Sequence, residues 1–255
     1  MHIAYYKEYS HNLGRDMEFK VYGHAGKPCL VFPAQDGRFF DFENFKMVDA
    51  ASWYLENGLI QFFCIDSIDK ETWSSKGDQS WRIERHEAWY RYICDELMPR
   101  IYQIHNETAQ ENYTGKVMTT GCSMGAYHAL NFMLRRPDIF DGVLALSGLY
   151  HAGYFFENYT DGRIYENSPC DFMANMPWNH HYLEAYRKSK IILVVGQGMW
   201  EKEAIEDTRI MQQHFERLQV PAWCDFWGYD VNHDWPWWLI QLPHFLQYFV
   251  RKEGE

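Results

Sequence analysis

The sequence predicts an α/β protein, a three-layer sandwich built on a mostly parallel, twisted sheet with an antiparallel strand pair at its N-terminal end. Three observations carry that expectation. Short apolar runs alternate with helix-length amphipathic segments through most of the chain, the pattern of parallel strands joined by right-handed crossovers. Several runs, such as "LIQFFCIDS" and "SKIILVVGQG", are continuously apolar, as strands covered on both faces are. Finally, 255 residues with 47% hydrophobic and 18% aromatic content can bury a substantial core, and residues 1–255 read as one domain.

Taken in order, residues 2–9 and 17–22 favour aromatics and alternation and read as the antiparallel pair, joined at "SHNLGRD". "KPCLVFP" (27–33) is a short buried strand, followed by the loop "AQDGRFFDFEN". Residues 48–57 have helical spacing and stop at Gly58, a C-terminal signal. "LIQFFCIDS" is the next strand, 82–105 a long amphipathic helix, and "GKVMTTG" another buried strand. A helix at 126–136 leads to the strand "DGVLALSG". The segment 149–188, rich in Tyr, Asn, Pro and Trp, is too long for an ordinary connection and is expected to form a pocket wall or partial lid. "SKIILVVGQG" and "AWCDFWGYD" supply the last two strands, and a helix within 237–251 closes the chain.

Composition narrows the function classes. With 24 Lys and Arg against 35 Asp and Glu, the net charge of −11 argues against a nucleic-acid backbone or an anionic membrane as partner. The opening "MHIAYYKEYSHNLGRDMEF" has no basic-then-apolar leader and no window reaches the roughly 18 apolar residues of a membrane span, so a soluble, cytoplasmic product is expected. Six scattered cysteines without a C-x-x-C pair read as reduced core thiols. For the same reason of location, the Asn106, Asn112 and Asn158 triplets that match a glycosylation acceptor are read as coincidental.

The chemistry starts at "VMTTGCSMGAYHALNFMLRRPDIF" (117–140). Gly121-Cys122-Ser123-Met124-Gly125 fits G-x-S-x-G, in which a serine sits on a tight strand-to-helix turn and flanking side chains would collide with neighbouring backbone. Alone, the pattern arises by chance in roughly one chain in ten of this length. Here an apolar strand runs in and a helix runs out, which also aims the unpaired N–H groups of the helix start at any developing negative charge. A serine hydroxyl needs a base, and the base an acid. Among 12 histidines, position singles out His233, in "WGYDVNHDWPWW" after the last strand. His128, His214 and the His180-His181 doublet lack ligand spacing to a second metal-binding group and read as packing or surface residues. The acid should follow "IILVVG": Glu201 in "GQGMWEKE", with Glu203 as rival and Asp207 too far into the next helix.

"GCSMGAYHAL", "GQGMWEKE" and "GYDVNHDWPWW" together resemble the esterase D-type branch of the α/β-hydrolases, which includes S-formylglutathione hydrolases, feruloyl and acetyl esterases and mycolyltransferases. The resemblance spans about residues 27–249. It implies Ser123 as nucleophile, Glu201 as acid and His233 as base, with Glu standing where most members have Asp. It also implies an oxyanion hole formed by the backbone N–H of Met124 and a second donor from "AQDGRFF", with Gly37 and Arg38 as the candidates; the side chains of Asp36 and Arg38 read equally well as turn chemistry and surface charge. Trp200, Trp235 and Trp178 are candidates for the substrate pocket, Trp73 is grouped with them at the same edge, and Trp237 and Trp238 read as packing. The expectation is therefore a serine esterase acting on a small-molecule carboxylic ester or thioester through an acyl-enzyme, with no metal or organic cofactor. The alternatives are acyl transfer to a sugar or other alcohol by the same residues, and a non-catalytic binding protein on the same scaffold. The sequence leaves the ester and the oligomeric state, homo-oligomer included, open.

Overall fold

The computed structural model describes residues 1–250. Eight strands form one sheet in the order β1-β2-β4-β3-β5-β6-β7-β8: β1 Ile3–Ser10, β2 Arg15–Tyr22, β3 Lys27–Phe32, β4 Ile60–Ile65, β5 Val117–Cys122, β6 Phe140–Leu146, β7 Lys190–Val195 and β8 Ala222–Phe226. β1 and β2 pair antiparallel from Ile3↔Tyr22 to Ser10↔Arg15, β2 pairs antiparallel with β4, and all pairings from β4 across to β8 are parallel. Each strand expected from the sequence is present, with ends shifted by a few residues.

The continuous apolar runs are explained by burial on both faces. Along β3, β4, β6 and β7, alternate residues enter two separate cores: Leu30, Phe63, Val143 and Leu193 on one side, and Val31, Phe62, Leu144 and Val194 on the other. The first core is covered by the helices Met124–Arg135 and Lys202–Arg217 and by a long helical run; the second by short helices near residues 41–56 and by Trp235–Val250. These are the outer layers of the sandwich.

The helices depart from expectation in instructive ways. The single helix expected over 48–57 is two short ones, Met47–Ala50 and Ser52–Glu56, ending near Gly58 at φ +63°. The long helix starts earlier, at Gln79, because Asp78 caps it by accepting the Trp81 N–H at 2.9 Å. It then continues through a π turn, Tyr92–Leu97, into Met98–Ala109. Pro99 follows that turn and brings no N–H, so the wider winding falls where the α ladder must lose a bond. The last helix ends at Val250; the end expected at 251 lies outside the described residues.

The 149–188 segment carries short helices, including Gly162–Glu166, Pro169–Ala174 and Leu183–Lys188, so it is more ordered than its composition suggests. Five cysteines are buried and Cys224 is half-buried, all as free thiols. Among the described residues no helix is long and apolar enough to cross a membrane.

Candidate active site

β3 and β5 are neighbours, while the chain leaves them in opposite directions, β3 toward β4 and β5 toward β6. Such a reversal opens a crevice at the carboxyl ends of the strands. Phe32 pairs with Gly121, so the segment after Phe32 and the turn after Cys122 emerge side by side. Ser123 occupies that turn at φ +57°, ψ −121°, a conformation costly for a non-glycine residue and held here by its N–H donating to Leu146 O at 2.9 Å. The glycines on either side are steric requirements. A Cβ on Gly121 would lie 2.4 Å from the Gly125 carbonyl carbon, and one on Gly125 would lie 2.4 Å from Phe32 O and 2.6 Å from Pro33 O.

His233 and Glu201 arrive from the outer strands. After β7 and β8 the two loops are zipped together: Gly198 N donates to Val231 O at 2.8 Å, Met199 N to Asn232 Oδ1 at 2.8 Å and His233 N to Met199 O at 3.0 Å. Gly196 and Gly198 permit this approach, since a Cβ on either would meet Val231 O at 2.1 Å or Asn232 Oδ1 at 2.2 Å. The result brings together all three residues singled out from the sequence. His233 Nε2 lies 2.9 Å from Ser123 Oγ and Nδ1 lies 3.1 Å from Glu201 Oε2. With a carboxylate facing Nδ1, the proton belongs there, leaving Nε2 free to accept from the serine hydroxyl. Glu203, the rival acid, is exposed, whereas Glu201 is fully buried.

The other carboxylate oxygen of Glu201 is also satisfied. Oε1 accepts from Ser147 Oγ at 2.6 Å and from Gly196 N at 3.2 Å, and Ser147 Oγ in turn accepts from Trp238 Nε1 at 3.0 Å. Trp238 packs in the core and sets its ring edge-on to His233, 5.1 Å between centroids. Neither Ser147 nor this second use of Trp238 is in the sequence reading. The available signal was the polar end of "DGVLALSG", a hydroxyl at the carboxyl end of the strand beside the serine's own. Cys122, next to Ser123, is no rival nucleophile: burial pushes its thiol well up.

The remaining candidates divide. Trp235 is half-buried and stacks face to face on Phe45, 4.1 Å and 2° apart, two residues from His233. Trp200 is 76% exposed at φ +62°, directly before Glu201. Trp178 is a correction: its neighbours Pro177 and His180 line a groove with Leu134, Arg135 and Arg136, at the far end of the helix that Ser123 starts, about 18 Å away along the axis. Trp73 is another, being buried and donating to His86 Nδ1 at 3.0 Å. Gly37 and Arg38 are a third, because their amides are already engaged, by Ala34 O at 2.9 Å and Asp41 Oδ2 at 3.0 Å. In that loop the amide of Gln35 donates to no protein acceptor among the described residues, and the same holds for Met124. A groove of about 650 Å³ lined by Lys27, Asp141, Lys190 and Trp223 opens at the opposite edge of the sheet, away from Ser123.

Residues 10–249 match the family model described as "Putative esterase". The chain belongs to this esterase family. The esterase also superposes on solved structures over nearly its whole length. These include a ferulic acid esterase (16% identity, 98% of each chain, TM-score 0.75) and an S-formylglutathione hydrolase from Agrobacterium tumefaciens (14% identity, 99% of this chain and 95% of that one, TM-score 0.74). A third is FphF, a fluorophosphonate-binding serine hydrolase of Staphylococcus aureus (15% identity, 98% and 99%, TM-score 0.72). At such identities the likeness speaks for the fold, an α/β esterase sandwich. No curated protein sequence matches the chain.

Proposed function

We propose that this esterase cleaves carboxylic esters or thioesters through an acyl-enzyme on Ser123. The observation that carries the reading is the continuous line from Ser123 Oγ through the His233 imidazole to the buried Glu201 carboxylate, at 2.9 and 3.1 Å. His233 Nε2 takes the hydroxyl proton as Oγ attacks the carbonyl carbon. The resulting oxyanion is held by the Met124 amide and by the free amide of Gln35, which replaces Gly37 and Arg38 as second donor. Collapse expels the alcohol or thiol, which takes the proton from Nε2. Water then repeats the sequence with the same base and releases the acid. Glu201 orients the ring and stabilises its transient positive charge, while Ser147 and Gly196 hold the carboxylate. Trp200 and the Trp235–Phe45 stack flank His233 and are the proposed contact surface for the substrate.

The test is reaction with a fluorophosphonate probe, mapping of the adduct and turnover of p-nitrophenyl acetate. Labelling at Ser123 and turnover should both vanish in Ser123→Ala. Adding alcohol acceptors to the assay separates hydrolysis from transfer. A wild-type protein that neither labels nor turns over would make the chain a binding protein on this scaffold.

A further inference from the structure

The oxyanion loop is not held by its own turn alone. Residues 35–39 are fastened to the segment that follows β4: Phe39 N and Arg38 Nε donate to Asp66 Oδ1 at 2.9 and 2.7 Å, and Ser67 Oγ donates to Gly37 O at 3.0 Å. Gln35 Nε2 donates to Ser74 Oγ at 3.1 Å, and Asp36 N to Asp69 Oδ2 at 3.3 Å. Asp69 differs from the others in having a second attachment. Its Oδ1 lies 2.9 Å from His128 Nε2, and both side chains are buried. His128 sits five residues after Ser123 on the helix whose first amide is that of Met124. Its Nδ1 is buried and faces no partner, so the proton belongs on Nε2, donated to Asp69.

One carboxylate therefore bonds to the loop that presents Gln35 N and to the helix that presents Met124 N. Asp36, the residue it grips, has φ +58°, in the left-handed region. We propose that Asp69 and His128 are positioning residues that fix the spacing between the two oxyanion donors. The inference rests on the esterase reading above and adds residues that touch neither substrate nor nucleophile. A pair of donors preset in this way costs no reorganisation when charge develops on the substrate oxygen.

The experiment compares Asp69→Ala, Asp69→Asn, His128→Leu and His128→Gln with wild type, well below each variant's unfolding temperature. The readouts are p-nitrophenyl acetate turnover and inhibition by a short alkyl trifluoromethyl ketone, whose serine adduct carries an oxyanion. Losing one such donor outright typically costs about 10²–10³ in kcat, so a loosened pair should lose roughly 10–100-fold. The expected result is that loss in kcat for Asp69→Ala and His128→Leu, with KM within about 3-fold and inhibitor affinity falling in parallel. His128→Gln, whose amide can still donate to Asp69, should lose less than His128→Leu. If Asp69→Ala does not fold, Asp69→Asn and the His128 pair decide. Folded variants with wild-type kcat and inhibitor affinity, or a loss confined to KM, overturn the proposal. Should Ser123→Ala retain turnover, the esterase reading itself fails, an outcome distinct from the failure of Asp69.

Discussion

Glu201 and Glu203 are two residues apart and chemically identical, and their surroundings are opposite. Glu201 has both oxygens engaged inside the protein and faces the imidazole; Glu203 is exposed on the first turn of the following helix. Glu201→Gln should therefore lower kcat by roughly 10⁴-fold, because an amide can present an N–H to Nδ1 and stabilise the wrong tautomer. Glu203→Ala should stay within about 2-fold, a surface change with no partner in the site. Steady-state kinetics on the two variants measures the contrast. The sequence left these two glutamates open because the deciding contacts, from Ser147 and Gly196, come from separate strands.

At the scale of elements, what was legible follows locality. The Ser123 turn could be read because Gly121 and Gly125 are demanded by backbone a few residues away or on the adjoining strand. The proposed oxyanion loop could be read only in part: the Gly37 and Arg38 amides are taken within the loop, by Ala34 O and Asp41 Oδ2, but those of Asp36 and Phe39 are taken by Asp69 and Asp66, some thirty positions on. Trp178 was misplaced for a related reason: the path of 149–188 is set by packing against distant helices. Gly125→Ala tests the close approach directly. Its Cβ would press on the carbonyls of Phe32 and Pro33, which are backbone and cannot swing aside. Destabilisation of about 1–3 kcal/mol is expected from urea unfolding, together with a fall in kcat as the end of β3 is pushed from the helix start.

At the scale of the whole molecule, acid sensitivity is built into the first core. His86 is fully buried, accepts from Trp73 Nε1 and lies 3.0 Å from Asn167 Oδ1. Burial, aided by the neighbouring His128, lowers its pKa to about 3. An unfolded chain binds a proton at His86 near pH 6.5, whereas the folded one resists until about 3. Between those values the unfolded state carries more protons, so stability falls as pH falls through that window, and the full effect is present above it. The span corresponds to about 5 kcal/mol from this one residue. Urea unfolding from pH 7 to 4 should show that decline, and His86→Gln, though less stable at pH 7, should show a shallower one.

β8, the strand that leads to His233, is the outermost of the sheet on its side, and all five of its residues keep some contact with water. Ser123, by contrast, follows a strand bordered on both sides. The proposed catalytic line thus depends on one margin of the sheet, while the bulk of the molecule is anchored at its middle. Under mild urea, turnover should fade before the far-UV circular dichroism signal changes, and return on dilution. The enzyme would go silent while still looking folded.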